Sequence, residues 1–319
     1  DGWYGDAWTR RQEITVDATL ADADLTNFPL LVKIDGANPL FGTAQSDGDD
    51  ILFTSSDGVT KIPHEIEVYT DGGTPVLYAW VQVPTVASAT DTTIYMYYGN
   101  PAASDQQNAT AVWDDDYALV LHLNEDVSDE ATTGIHYDST ANRANGEQSG
   151  NFYTSSGKIG GAQDFDGSGV AGEQDYVNID NVDTDDWTEY TLTTWFRADS
   201  YDNNDPRIIA KSSSTSPTDF IFSMTQSDSS ATAATLRTRV ALEGGDGQSS
   251  SHDSAVALTA NPGPWYFGAI TFEGVATDDL YARRAQTGVD PNWNNTGTDT
   301  ADQNFVDVAD DGPGPTLLD

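Results

Sequence analysis

Residues 92–104 read TTIYMYYGNPAAS. A run of β-formers and aromatics meets Gly99-Asn100-Pro101, and the proline keeps Asn100 out of the helical region. A strand this strong that stops this abruptly predicts the last strand of a folded unit. The same grammar recurs on either side. EITVDATL, FPLLVKID, DILFTS and LYAWVQVP precede it, and YALVLHL, DYVNID, EYTLTTWF, RIIAK, DFIFSMT, LRTRVAL and WYFGAITF follow, each bounded by Gly, Asn, Asp or Pro. Few stretches carry a 3.6-residue apolar period over ten or more positions, so short strands at this spacing predict an all-β chain of sandwiches or barrels. At 319 residues it is long enough for two domains. The expected division is a β domain over 1–105, a polar connector over 106–115, and a second β domain over 116–319 with a polar C-terminal tail.

Composition narrows the function. There are 52 acidic residues against 13 basic ones, a net charge of -39, and the lysines are only Lys33, Lys61, Lys158 and Lys211. Such a charge repels nucleic acid and anionic membrane, so neither is an expected partner. It reads as adaptation to high salt, where the screening length of ~3 Å at 1 M removes the self-repulsion felt in dilute buffer. An ordinary acidic secreted surface is the alternative. Cysteine is absent, which removes disulfides, thiolate metal sites and cysteine nucleophiles from consideration. No apolar run approaches the ~18 residues that span a bilayer, and a start at Asp1 without Met reads as a processed product.

Trp3, Trp8, Arg11 and Ile14 in WYGDAWTRRQEITV, then NFPLLVKID, DGDDILFTSSDGVTKIPHEIE, AWVQVP and IYMYYGNPAA, occur in an order that resembles the domain-of-unknown-function 2341 family. That family is found at the mature N-terminus of secreted bacterial and archaeal proteins, and the resemblance covers about residues 1–105. Beyond it LHLNED, DSTANRANG, GKIGGAQDFDG, DYVNID, YTLTTWFRAD and WYFGAITF resemble a laminin-G, concanavalin A-like jelly roll over about 116–285. This implies two packed antiparallel sheets, calcium at the rim, and a glycan or protein ligand on the concave face or the loops. The chain departs from that pattern at LYARRAQTG, where the family has Asn-Gly, and lacks its closing Asp-Glu-x-Arg signature. After residue 286 only NFVDVAD and TLLD offer strands. Either NFVDVAD completes the sandwich, or the open edge pairs with another chain.

Calcium takes six to eight oxygen ligands. Asp164, Asp166 and Asp175 around the Gly-rich DFDGSGVAGEQDYVNID, and Asp138 in DSTANRANG, have that chemistry, although the same residues also form solvated turns. Paired carboxylates for glycoside hydrolysis would come from Glu65 and Glu67, which alternate onto one strand face, or from Glu125 and Asp126. HEIE lacks the second histidine of a zinc protease, and His64, His122, His136 and His252 are scattered and read as structural. Trp293, among loop formers in DPNWNNTGTD, is the tryptophan expected to be exposed to a ligand. Asn108 and Asn294 head glycosylation sequons.

The reading is a non-catalytic extracellular protein of a cell surface, appendage or virion in a salty habitat. It binds glycan or protein, or copies of itself and other subunits. Its rivals are a structural subunit of a filament or virus particle and a polysaccharide-cleaving enzyme on a jelly roll. The charge makes a first prediction: the melting temperature rises substantially between low salt and molar potassium or sodium chloride, as followed by circular dichroism. A flat or falling series refutes the adaptation to salt.

Overall fold

The computed structural model describes residues 2–126, 134–149, 153–165, 175–179, 182, 189–198, 207–212, 218–225, 233–241, 249–253, 258–259, 264–277, 280–290 and 304–310. The chain forms two compact units, 1–182 and 183–319, so that residues 106–115 run inside the first. Strand dominates both. The described residues contain two three-residue 3-10 turns, at Ala18–Leu20 and Ala109–Ala111, and no helix long and apolar enough to cross a membrane.

The first unit begins with β1 (Arg10–Val16), β2 (Leu25–Asp35), β3 (Leu52–Thr54), β4 (Lys61–Ile62), β5 (His64–Thr70), β6 (Val76–Val86) and β7 (Thr92–Tyr98). They form two antiparallel sheets, ordered β1-β7-β3-β4 and β2-β6-β5. Between the sheets lies a core that includes Val32, Ile34, Leu40, Phe53, Leu77, Val81, Val83, Ile94 and Met96. β6 alternates as a half-buried strand should: Leu77, Ala79, Val81 and Val83 point inward, while Tyr78, Trp80 and Gln82 face the other way.

β7 breaks that alternation, because Ile94 through Tyr98 are all buried. Ile94, Met96 and Tyr98 enter the core, and Tyr95 and Tyr97 cluster with Leu52 on the opposite face under Tyr4 and Trp8. The W-x4-W-x2-R motif therefore builds a cover over an apolar sheet face. The Arg11 guanidinium lies 4.2 Å from the Tyr95 ring centre and donates to the Gly2 carbonyl at 2.8 Å. Trp3 stands edge-on to Tyr97 and donates to the carbonyls of Gly5 and Trp8, yet remains 44% exposed.

The stop after β7 has a specific cause. Gly99 has φ +81°, and a Cβ there would approach Thr9 Oγ1 to 2.5 Å. The buried Asp50 carboxylate accepts the Gly99, Asn100 and Gln45 backbone N–H groups, each at 2.8 Å. Residues 106–108 then turn back onto the sandwich. Asn108 N–H donates to the His64 carbonyl at 2.9 Å, and Gln107 Oε1 accepts the Ile66 N–H at 2.6 Å, which covers the free edge of β5.

The remainder of the unit adds β8 (Ile135–His136), β9 (Gly146–Ser149), β10 (Tyr153–Ser156), β11 (Gly161–Asp164) and β12 (Tyr176–Ile179), as a sheet β12-β9-β8 and a hairpin β10-β11. The second unit holds β13 (Glu189–Phe196), β14 (Arg207–Ser212), β15 (Thr218–Thr225), β16 (Ala233–Ala241), β17 (Ser249–Asp253), β18 (Leu258–Thr259), β19 (Tyr266–Thr277), β20 (Leu280–Asp290) and β21 (Asn304–Asp310). One sheet is ordered β13-β19-β20-β21; the other is ordered β14-β15-β16-β17 with β18 on β16. The backbones of β16 and β17 approach β20, and β17 also approaches β21. NFVDVAD is β21: it pairs with YARRAQT of β20 from Tyr281↔Asp310 to Thr287↔Asn304 and ends the first of these sheets.

Asp50→Ala would leave three backbone donors without an acceptor, two just past the end of β7 and one at Gln45. Its expected cost is about 3–5 kcal/mol in urea unfolding, at roughly 1–3 kcal/mol for each buried orphan less some relaxation. Asp50→Asn, which keeps one carbonyl acceptor, should cost less than Asp50→Ala.

Candidate functional site

The outward face of β6 carries Trp80 and Gln82, and residues 112–124 lie across it. Gln82 Nε2 donates to the Val112 carbonyl at 3.4 Å, and the Trp80 and Trp113 rings sit 5.3 Å apart. β5 presents Glu65 and Glu67 to the same side. A register irregularity between Ile66 and Val68 leaves Glu67 unmatched on β6: Glu65 opposes Trp80 and Val68 opposes Tyr78. A bulge of this kind re-aims a side chain, and Glu67 Oε2 accepts the Trp80 indole N–H at 2.7 Å.

His122 lies between the two glutamates. Its Nε2 is 3.2 Å from Glu65 Oε2 and its Nδ1 is 3.3 Å from Glu67 Oε2; exposures are 12% for the imidazole, 13% for Glu65 and 3% for Glu67. The Nε2 contact is off the N–H axis, an ion pair more than a linear hydrogen bond. Trp113 Nε1 donates to Glu65 Oε2 at 2.9 Å, and Ser139 Oγ donates to Glu65 Oε1 at 2.6 Å. The His122 ring stacks at 24° on Trp80, with centroids 6.2 Å apart. Asn124 Nδ2 donates to the Glu67 carbonyl at 3.3 Å.

Electrostatics follow from this enclosure. Burial by itself would lower the His122 pKa, but hydrogen bonding and Coulomb attraction from Glu65 and Glu67 more than offset it and hold the ring up to about 10. Burial likewise pushes Glu65 up, and His122, Ser139 and Trp113 bring it below the usual glutamate value. The cluster is thus an imidazolium between carboxylates at neutral pH. A glycosidase acid needs a carboxyl with a raised pKa, and Glu65 shifts the other way.

A second carboxylate–imidazole contact pairs Glu125 with the buried His136, Oε2 to Nδ1 at 3.0 Å, while Glu125 Oε1 accepts the Tyr137 N–H at 2.7 Å. Burial raises the Glu125 pKa, but His136 and the Tyr137 N–H bring it below the usual value. His64 is different. It is buried against Phe53, with no ring hydrogen bond of good geometry. Burial first and Lys61 second push it down to about 4, against weaker support from Asp105 and the Ile51 backbone.

The residues singled out from sequence fall in several environments. Asp138 is buried; its Oδ1 accepts the Val120 and Thr140 N–H groups at 3.0 Å each, and its Oδ2 accepts Thr140 Oγ at 2.7 Å and the Ala144 N–H at 2.9 Å. Four protein donors occupy the oxygens that a cation would need. Asp164 ends β11 opposite Tyr153, and Asp175 immediately precedes β12. Asp166, Trp293 and Asn294 lie outside the described residues. Among those described, no three His, Asp or Glu side chains gather as a metal site. Asn108 is exposed beside its sequon partner Thr110. Period-two alternation along β5 was enough to put Glu65 and Glu67 on one side. The one sequence signal for His122 as their partner is a histidine set in the apolar run YALVLHL.

Residues 47–156 match a domain of unknown function, DUF2341, which is about a third of the chain. The matched stretch contains β3 to β10 and every residue of the Glu65–His122–Glu67 cluster. No curated protein and no solved structure matches the chain.

The depressed pKa of His64 sets the sign of an acid effect. The unfolded chain takes up this proton near pH 6.5 and the folded chain only near 4, so stability falls as pH drops between the two. From about pH 7 to about pH 5 the wild-type protein should lose about 2 kcal/mol more than His64→Leu, read by urea unfolding at both pH values. Equal losses would contradict a neutral, buried His64.

Proposed function

We propose that the chain is a non-catalytic extracellular surface module of a high-salt habitat. In this reading the DUF2341-like part is the structural one, and the β region from about residue 116 onward is a laminin-G-like module that binds glycan or protein. The observation that supports it most is the occupancy of the best-formed carboxylate pair. Both Glu65 oxygens accept bonds, from Trp113 and Ser139, and Glu67 Oε2 accepts from Trp80, with His122 between the two carboxylates, an arrangement suited to a structural cluster. The net charge of -39 supports the habitat and argues against nucleic acid or an anionic membrane as partner. Calcium remains in the proposal only outside Asp138, whose oxygens are taken.

The test uses the full chain in molar potassium chloride on an array of immobilised polysaccharides and surface-protein extracts, with reducing-sugar release measured in parallel. The expected outcome is saturable retention on a glycan or protein without sugar release, and retention unchanged in Glu65→Gln. Sugar release above the buffer rate, abolished in Glu65→Gln, would overturn the non-catalytic reading.

A further inference from the structure

The Glu65–His122–Glu67 cluster joins two parts of the chain through a cation that can be discharged. Among the described residues the side chains touching the two carboxylates are His122, Trp80, Trp113 and Ser139, and none is a lysine or arginine. From β5 the groups facing His122 are Glu65 and Glu67; from β6 it is Trp80; from residues 112–124 it is Trp113; Ser139 bonds Glu65, and the turn at 157–161, which carries Lys158, packs against Glu67 and Asn124 through Gly160 and Gly161. Tyr117 lies against Trp113, and burial, with Asp114 and Asp116, pushes its phenol pKa up. The positive charge in direct contact with both enclosed anions is the His122 imidazole.

We propose that residues 112–124 are held on the outer face of β5 and β6 by a latch that opens when His122 loses its proton. A neutral imidazole leaves Glu65 and Glu67 as two anions with little access to water and no counter-charge in contact. The indole donors of Trp80 and Trp113 satisfy one oxygen of each but bring no net charge. The anions regain hydration only if the segment that covers them lifts away. Val112, Trp113, His122 and Asn124 attach to this face, and Val120, Leu121 and Leu123 are tied in turn to Asp138, Ser139 and Gln163, so the segment moves together with that layer, whereas the core between the two sheets contains none of the four. The sign follows from the raised pKa. The stabilisation is complete below the ordinary histidine value near 6.5 and is lost as pH rises through about 10. Because the charges are enclosed, molar salt screens this latch far less than it screens the surface.

The experiment follows the full chain in molar potassium chloride by NMR from neutral to about pH 11, with histidine and methyl labelling. The expected result is a His122 resonance that titrates near pH 10, with the Val120 and Leu121 methyls shifting at the same midpoint and the Ile94 and Val83 methyls unmoved. In Glu67→Gln both the His122 midpoint and the Val120 and Leu121 transition should fall together by about one pH unit or more, because one of the two supporting anions is gone. A His122 midpoint at the ordinary value overturns the proposal. So do Val120 and Leu121 methyls that stay fixed through the titration, or a transition that the core methyls share. The wild-type titration decides among these outcomes even if the variant does not fold.

Discussion

Ile94, Met96 and Tyr98 point to one side of β7 and Tyr95 and Tyr97 to the other, and neither side can be left in water. A strand apolar on both faces has to be covered twice. The first cover is the sheet β2-β6-β5, which closes the core. The second is the N-terminal segment, whose Trp3, Tyr4 and Trp8 lie on Tyr97, on each other and near the Asp50 backbone, with Arg11 stacked on Tyr95. Asp50 ties these layers together by accepting the backbone of Gly99 and Asn100 where the strand leaves the sheet.

The same logic of covering applies one layer out. Trp80 on the back of β6 is too large and apolar to face solvent, and residues 112–124 supply Trp113 and His122 to shield it. Shielding Trp80 also encloses Glu65 and Glu67, since β5 is its neighbour, and enclosed carboxylates need donors and charge. Trp80, Trp113 and Ser139 provide the donors. His122 provides the charge. In a chain with four times as many acids as bases, a cation whose proton is retained by the anions themselves is an economical counter-ion, and it makes docking of this layer depend on pH.

Surface charge plays another part. The Lys33–Asp35 pair is well exposed on both sides, and exposed pairs of this kind contribute little. The acidic excess acts through its sum, as self-repulsion that salt relieves, while the buried ion cluster acts through local geometry. Solvent conditions therefore reach the first unit along two separate routes, ionic strength at the surface and proton activity at His122.

Much of the fold was legible in the sequence because strand patterns and turn residues are local. The β7 strand, its stop at Gly99-Asn100-Pro101, the all-β class and the shared side of Glu65 and Glu67 each follow from a few neighbouring residues. Asp138 shows where local reading divides: Asp-Ser-Thr followed by Asn-Gly supplies oxygens for calcium and forms turns equally well, and the oxygens accept the backbone of Val120, Thr140 and Ala144 and the Thr140 hydroxyl. The partner of the glutamates could not be read at all. His122 is more than fifty positions from Glu65 and becomes its counter-ion only because residues 112–124 cross the back of β6. Strand content, charge and turns were determined by the sequence alone, since they depend on side-chain type and spacing. Which buried acid meets which base was decided by tertiary structure, since charge compensation acts through space and is indifferent to separation along the chain.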